Sequence, residues 1–342
     1  MLTSAERLAA RLRGESVDRV PNMTLVMQFA ADHIQAPLAR YYQDYHTLCE
    51  ANFKTAELFG LDLLDAISDP YRETADFGAV IVFPDDSLPL CHTPRLQDPS
   101  DLAGLIAPDP LKPGSRMRDR VDAIRLFHER AGGQMPIQGW VEGALAEAAD
   151  LRGVSNLLYD LYDRPEWVEE LLERCTETAI PFALAQIEAG ATIIGLGDAI
   201  ASQVNPAAYR QFALPYEQRI FEAVRKAGAI PRLHICGNTS RIVKEMAQSG
   251  TRIIDLDWMV DLAAARAQLD TIDPSIALCG NIDPVAALHG ASPEQVYAAV
   301  RKCYETGGDN WLAAPGCEVP RHTPAENMRA FSDALVVENR QH

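Results

Sequence analysis

His234-Ile-Cys236, together with Cys317 in a second turn of small residues, carries the side chains best suited to chemistry. A histidine and a cysteine two apart at a strand end present a nitrogen and a sulfur on the same side, with Cα atoms about 7 Å apart. A third soft ligand from elsewhere completes a zinc site of the catalytic kind, with three protein ligands and one open position. A structural zinc closes with four ligands in paired short spacings, and the sequence contains no Cys-x-x-Cys pair. The open position would take a water or a substrate thiol.

Four carboxylates are candidates for acid–base work or for anchoring a substrate. Asp69 follows the second expected strand in Ser68-Asp69-Pro70, Glu142 the third and Asp198 the fourth, while Asp257 ends the sixth in Asp255-Leu-Asp257-Trp258. Asp257 can be a displaceable fourth ligand, a hydrogen-bond partner of His234, or simply a carboxylate that fixes a loop. Glu318 adjoins Cys317 and is either a neighbour of the metal or a solvated charge. Cys279, inside the seventh strand, reads as core. Gly237-Asn-Thr lacks the lysine and glycine pattern of a phosphate loop, and no Gly-x-Ser-x-Gly elbow occurs.

These residues need a frame that gathers strand ends. Short β-rich runs alternate with amphipathic stretches, the pattern of βα units around a parallel sheet. Expected strands are Met23–Met27, Leu61–Ala66, Met135–Gly139, Thr192–Gly197, Ala229–His234, Arg252–Asp257, Ile276–Cys279 and Trp311–Ala314. Eight strands close a barrel, and such barrels keep their chemistry at the carboxyl ends of the strands. His234 and Cys236 follow the fifth strand and Cys317 the eighth, so all three fall on that face. Helices are expected at Val168–Glu188, Pro206–Ala227, Thr239–Ser249, Leu262–Leu269 and Pro293–Thr306. Asn205-Pro206 and Ser292-Pro293 give two of them a capping side chain before a proline. Tyr71–Arg130, rich in proline, fits no unit and reads as an insertion over the barrel mouth after the second strand. The expectation is α/β: a single (β/α)8 TIM barrel over residues 1–342, with an N-terminal helical extension at Ser4–Arg13.

Composition narrows the partners. The 31 basic and 48 acidic residues among 342 give a net charge of −17, which repels nucleic acid and anionic membranes. An apolar share of 47% is ample for a core. The N-terminus lacks an apolar signal core and no stretch approaches a membrane span. The seven scattered cysteines show no framework spacing and read as reduced thiols, so a cytoplasmic location is expected.

Four motifs then carry a family resemblance: His234-Ile-Cys-Gly-Asn-Thr239, Ile254-Asp-Leu-Asp257, Gly280-Asn-Ile-Asp-Pro284 and Pro315-Gly-Cys-Glu-Val-Pro-Arg-His-Thr-Pro-Ala-Glu-Asn327. They resemble the uroporphyrinogen decarboxylase superfamily, and the resemblance runs from Asp18-Arg-Val-Pro21 nearly to the C-terminus. That superfamily implies a single (β/α)8 barrel and two main branches, the haem-pathway decarboxylases and the zinc-dependent methylcobamide:coenzyme M methyltransferases. Decarboxylases share a basic Met-Arg-Gln-Ala-Gly-Arg motif, which here reads Met27-Gln-Phe-Ala-Ala-Asp32, with both arginines gone. Their late Gly-His-Gly has become Gly316-Cys317-Glu318. Asp69 matches the decarboxylases' catalytic aspartate, but the other branch has an aspartate there too. The sequence thus resembles the methyltransferase branch.

That resemblance implies Zn²⁺ on His234, Cys236 and Cys317, activating a small thiol such as coenzyme M to attack a methyl-corrinoid. The corrinoid would come on a partner corrinoid protein, because no corrinoid-binding module is evident in the sequence. His322 is assigned no role. Three other readings keep the barrel. One demethylates a methoxylated or methylamine-type donor onto cob(I)alamin, one is a uroporphyrinogen decarboxylase, and one is a non-catalytic binding protein.

Overall fold

A computed structural model describes residues 2–337, so Met1 and residues 338–342 of the expected domain lie outside the described residues. Among the described residues nine strands occur in chain order: β1 (Leu64–Asp65), β2 (Ile81–Val82), β3 (Leu90–Cys91), β4 (Ile137–Glu142), β5 (Ile193–Gly197), β6 (Ile230–His234), β7 (Ile253–Asp255), β8 (Ala277–Cys279) and β9 (Trp311–Leu312). β2 and β3 form a separate antiparallel hairpin, and the other seven make one parallel sheet in the order β1-β4-β5-β6-β7-β8-β9. The eighth position, expected as a strand at Met23–Met27, is filled differently. Asn22 bridges Ala313 in parallel, and Asp62 N–H donates to the Asn22 carbonyl, so residues 21–23 stand between β9 and the approach to β1. Pro21 has no N–H to give a ladder, and by Met27 the chain has entered the helix Met27–Asp32.

The sheet is apolar on both faces, as a helix-covered parallel barrel requires. Alternate residues separate two cores. Met23, Leu25, Leu63, Trp140, Ile193, Ile253 and Leu312 fill the barrel interior. Val141, Ile194, Leu196, Leu233, Ile254 and Leu278 face outward to the helices. One band of the interior is polar. Arg232 of β6 is fully buried and donates to Asp255 of β7 and to Gln138 of β4, and Gln138 donates to Asp65 of β1. Burial of so many polar atoms is tolerable because they satisfy one another.

Glycines shape the same space. A Cβ on Gly195 would lie 2.3 Å from the Trp140 ring, so the tryptophan can cross β5 only because that strand is bare there.

The helix Ser4–Leu12 matches the expected extension and starts with a capping box between Thr3 and Glu6. Its Arg7 and Arg11 donate to Asp62 and to the Trp311 carbonyl, joining it to the approach to β1 and to β9. Expected helices are present at Pro165–Ala189, Leu262–Asp270 and Pro293–Gly307. The expected Pro206–Ala227 helix is broken into Pro206–Phe212 and Leu214–Lys226, since Pro215 cannot donate back to residue 211. Thr239–Ser249 is helical only from Val243.

The Tyr71–Arg130 insertion is shorter than expected. Arg116–Ala131 is a regular helix that packs on β4 and on the helices Tyr45–Phe59 and Pro165–Ala189, so it belongs to the barrel wall. The remainder carries the β2–β3 hairpin, tied to the rim by Leu38 N–H on the Asp85 carbonyl and Arg321 on the Asp86 carbonyl. No described helix is long and apolar enough to cross a membrane.

Candidate functional site

His234 is the last residue of β6 and Cys236 follows on the same face. Cys317 comes from the turn after β9, where backbone bonds fix the chain: Gly316 N–H donates to the Ile282 carbonyl and Val319 N–H to that of Leu25. The turn thereby carries its thiol to the other two donors. His234 Nε2 lies 2.9 Å from Cys236 Sγ, and the two sulfurs are 3.5 Å apart. All three potential ligand atoms fall within 4.8 Å of one another, the only such group among the described residues.

The other ring nitrogen is held. His234 Nδ1 is 2.9 Å from Asp255 Oδ2 across the β6–β7 register, where His234 and Asp255 are direct partners. Arg232 donates through Nε to both Asp255 oxygens, at 2.8 and 3.0 Å, so the carboxylate stays charged despite burial. Burial alone would raise its pKa, but Arg232 and His234 outweigh it and the net shift is downward. A charged Asp255 holds the proton on Nδ1 and aims Nε2 at the sulfurs, so Nε2 is the nitrogen that gives up its proton to bind a metal. Burial opposes a charge on the imidazole, yet Cys236, Asp255 and Cys317 together raise its pKa well above normal. The two sulfurs are within hydrogen-bond reach of each other. Hydrogen bonding to Cys317 holds Cys236 up, and the reciprocal bond pulls Cys317 down to about 4. A thiolate is therefore favoured before any metal arrives.

These donors border a small cavity of about 170 Å³. Its apolar wall includes Leu25, Met27, Ile67 and Trp140; its polar groups are Asp69, Glu142 and Glu318. Trp140 packs its ring edge-on to His234 at 5.7 Å between centroids and donates from Nε1 to Glu142. Larger clefts exist, one of about 470 Å³ beside Tyr162, Ser202 and Asn238, but no cysteine or histidine lines it.

Of the four carboxylates picked from the sequence, two face this cavity. Glu142 ends β4, accepts from Arg72 at 2.6 Å, and is pushed by burial up to about 7, with Glu73 adding to the rise. Asp69 accepts from Ser68 and from Arg116 at 2.6 Å, and the cations beside it overcome burial to lower its pKa. Asp198 turns away instead. It is buried against Gly143 at the start of the helix Ala144–Arg152, where burial and Glu217 raise its pKa well above normal. The hydrogen-bond partner of His234 is Asp255 rather than Asp257, which accepts from the N–H groups of Gly237 and Met259 and so fixes the loops beside the site.

The sixth expected strand runs to Asp257, but β7 ends at Asp255, one pleat earlier, and it is Asp255 that meets His234. Arg232, two residues before His234, shares its inward face, and that spacing is the signal in the sequence for its role. Arg72 and Arg116 were hidden within the supposed insertion. Glu318, left open between metal neighbour and solvated charge, has one buried oxygen with no partner, and burial lifts its pKa to about 7.

A parallel barrel gathers one histidine and two cysteines at its carboxyl face, beside an apolar cavity, a donor set of the kind that can hold a metal ion. The sequence model of the uroporphyrinogen decarboxylase (URO-D) family matches residues 3–336. A methylcobamide:CoM methyltransferase (MtbA) of Methanosarcina acetivorans is 30% identical over 96% of both chains. A uroporphyrinogen decarboxylase of Nostoc punctiforme is 26% identical over 96% of this chain and 95% of its own. Among solved structures, a methyltransferase from Methanosarcina mazei superposes with a TM-score of 0.88 at 26% identity, covering 98% of each chain. The chain belongs to the uroporphyrinogen decarboxylase family, on its methyltransferase-like branch.

Proposed function

We propose that this chain transfers a methyl group from a methyl-corrinoid, carried on a partner corrinoid protein, to a small thiol; coenzyme M is the acceptor in the names of its Methanosarcina relatives. The observation that carries the reading is the His234–Cys236–Cys317 cluster opening on an apolar cavity. Those donors suit zinc, whose structural sites would demand a fourth protein ligand. When bound, zinc supplies Lewis acidity that lowers the pKa of a thiol in the cavity.

The chain's own residues do the rest. Asp255 aims His234 Nε2, and Arg232 keeps Asp255 ionised. Leu25, Met27 and Ile67 limit water beside the reacting sulfur, which strengthens each electrostatic contact there. Glu142 takes the proton that the thiol gives up, since its Oε1 is engaged by Arg72 and Trp140 while the carboxylate fronts the cavity. The sulfur then displaces the methyl carbon from cobalt. The carbon–cobalt electron pair stays on the metal, giving a thioether and cob(I)alamin.

The test is anaerobic mixing of zinc-loaded protein with methylcobalamin and a thiol panel. The methyl-cobalt absorption is expected to convert to that of cob(I)alamin. A chain inert with every thiol that demethylates a methoxylated or methylamine donor onto cob(I)alamin would overturn the direction proposed.

Glu142 has a readable pH signature. A base with its pKa raised to about 7 is in working form only above that value, so the rate rises through about pH 7 and then levels. Glu142→Gln should lose that limb and about 10²-fold in rate. A wild-type rate that is flat from pH 6 to 8 would remove Glu142 from the role.

Decarboxylation of uroporphyrinogen is expected to be absent. Gln28 and Asp32 stand where that branch has arginines, and Asp32 is already paired with Arg321 at 2.8 Å. Several substrate carboxylates would be buried without cations, a prohibitive cost. Chromatography of the porphyrins after incubation checks this, and coproporphyrinogen formation would reverse the branch assignment.

A further inference from the structure

The cavity beside the three donors measures about 170 Å³. That space holds a small thiol but not a corrin macrocycle. A methyl-corrinoid must therefore lie across the barrel mouth with only its methyl group reaching in, and its ring overhangs the surrounding loops.

A second pocket opens among those loops. It measures about 470 Å³, within the range of ligand pockets, and lies between the segments that follow β5 and β6. It starts one residue past Cys236: a Cβ on Gly237 would lie 3.0 Å from Ser202 Oγ, in the pocket wall.

In a chain of net charge −17, no acidic side chain lines this pocket. Uncommitted donors line it instead. Asn205 Oδ1 accepts from the N–H groups of Ala207 and Ala208, and Asn238 Oδ1 from the N–H and hydroxyl of Ser240. Each amide oxygen is thus engaged, which leaves its NH₂ without an acceptor among the described residues. Gln203 and Arg241 are exposed side chains with no hydrogen bond or salt bridge among the described residues. Tyr162 on the rim is 73% exposed, and Tyr159, one turn earlier on the helix Val154–Asp163, is 70% exposed. A donor surplus without carboxylates repels cations and suits carbonyl or anionic oxygens.

A corrin offers such oxygens on the required side. The face that carries the methyl ligand also carries acetamide arms. The propionamides and the nucleotide loop, with its phosphodiester, hang from the opposite face. We propose that the pocket of Gln203, Asn205, Asn238 and Arg241 is a second subsite for the methyl donor, receiving an acetamide arm while the methyl group stands over the cavity. The inference rests on the methyl-transfer reading above and deepens it. Arg241 and the free amide groups donate to the acetamide carbonyl, and Tyr162 covers the edge of the ring.

The test uses free methylcobalamin, and methylcobinamide, which lacks the nucleotide loop. Gln203→Ala, Arg241→Ala and the double variant are compared with wild type on the full chain, since neither side chain bonds to another described residue. Equilibrium dialysis without thiol gives the Kd of each corrinoid, and methyl transfer gives kcat and KM.

The double variant is expected to weaken the Kd of both corrinoids by about tenfold, each single variant by less. The loss in transfer should fall on the KM for corrinoid rather than on kcat, with the KM for thiol, zinc content and melting temperature held. An unchanged Kd in the double variant overturns the proposal. So does a loss confined to methylcobalamin, which would give the donors to the phosphodiester. The expected Kd losses in a protein that transfers no methyl group would retain the subsite and reject the reaction. An unchanged Kd alongside active transfer would do the reverse.

Discussion

Replacing Cys317 with alanine is expected to strip the metal from a chain that stays folded. The thiol is only partly buried, and backbone bonds to Ile282 and Leu25 hold its turn in place whatever side chain residue 317 carries. Gly316 packs so closely that a Cβ there would lie 2.5 Å from the Trp258 nitrogen, a second anchor independent of the thiol. Loss of one of three ligands should weaken zinc binding by more than the about 10–100-fold typical of an outer partner. Metal content should fall from about one zinc per chain to near none after dialysis, and methyl transfer should become undetectable. Circular dichroism and the melting temperature of the metal-free protein should hardly change, because the site adds nothing to either apolar core. Full zinc occupancy in Cys317→Ala would refute the ligand set. The contrast is His234→Ala, which also frees one face of Asp255 and should therefore cost stability as well as metal.

The residues most visible in the sequence were those whose identity is tied to chemistry. His234, Cys236 and Cys317 are rare types at strand ends, and strand ends are easy to find where βα units alternate. Strand limits were less legible. Arg252–Asp257 reads as six continuous strand residues, but pairing ends at Asp255, after which Asp257 is recruited by the N–H groups of Gly237 and Met259. Those two bonds depend on a loop conformation that no local pattern encodes. The barrel's first strand was drawn too late for a similar reason. Pro21 to Met23 close the barrel through single bridges and leave no run of alternating residues to detect.

The insertion shows a different failure. Met117, Val121, Ile124 and Phe127 repeat at helical spacing and are all buried, so the wall helix was written in the sequence. Its proline-rich approach from Pro94 to Pro113 masked it, and with it Arg116. Asp198 shows that a strand-end position fixes height in the barrel but not the direction of the side chain. Gly197 and Ala199 on either side of it line the cavity, while the Asp198 side chain meets Gly143 instead.

Asp255→Asn is expected to cost metal affinity far more than stability. Arg232 donates to whichever oxygen remains, so the asparagine must present its carbonyl to Arg232 and its NH₂ to His234 Nδ1. An NH₂ cannot accept the Nδ1 proton's hydrogen bond. The imidazole is driven to the other tautomer, which puts the proton on Nε2 and blocks the lone pair needed by a metal. A loss of about 100-fold in zinc affinity follows, with the folded barrel retained. Asp255→Ala is the harsher change. It leaves Arg232 buried with only Gln138 and the Met23 carbonyl as oxygen acceptors, and a stranded buried charge costs about 3–5 kcal/mol. The pH behaviour separates the same two contributions. Because Asp255 is held below its usual pKa, its ion pair supports the fold above the ordinary carboxylate range. That support is lost as pH falls through the depressed value. Nitrogen NMR of the ring in the metal-free variants reads the tautomer directly, and chelator competition reads the affinity. Asp255→Asn protein that retains the Nδ1–H tautomer and wild-type zinc affinity would show that the carboxylate braces Arg232 alone and has no hand in aiming His234.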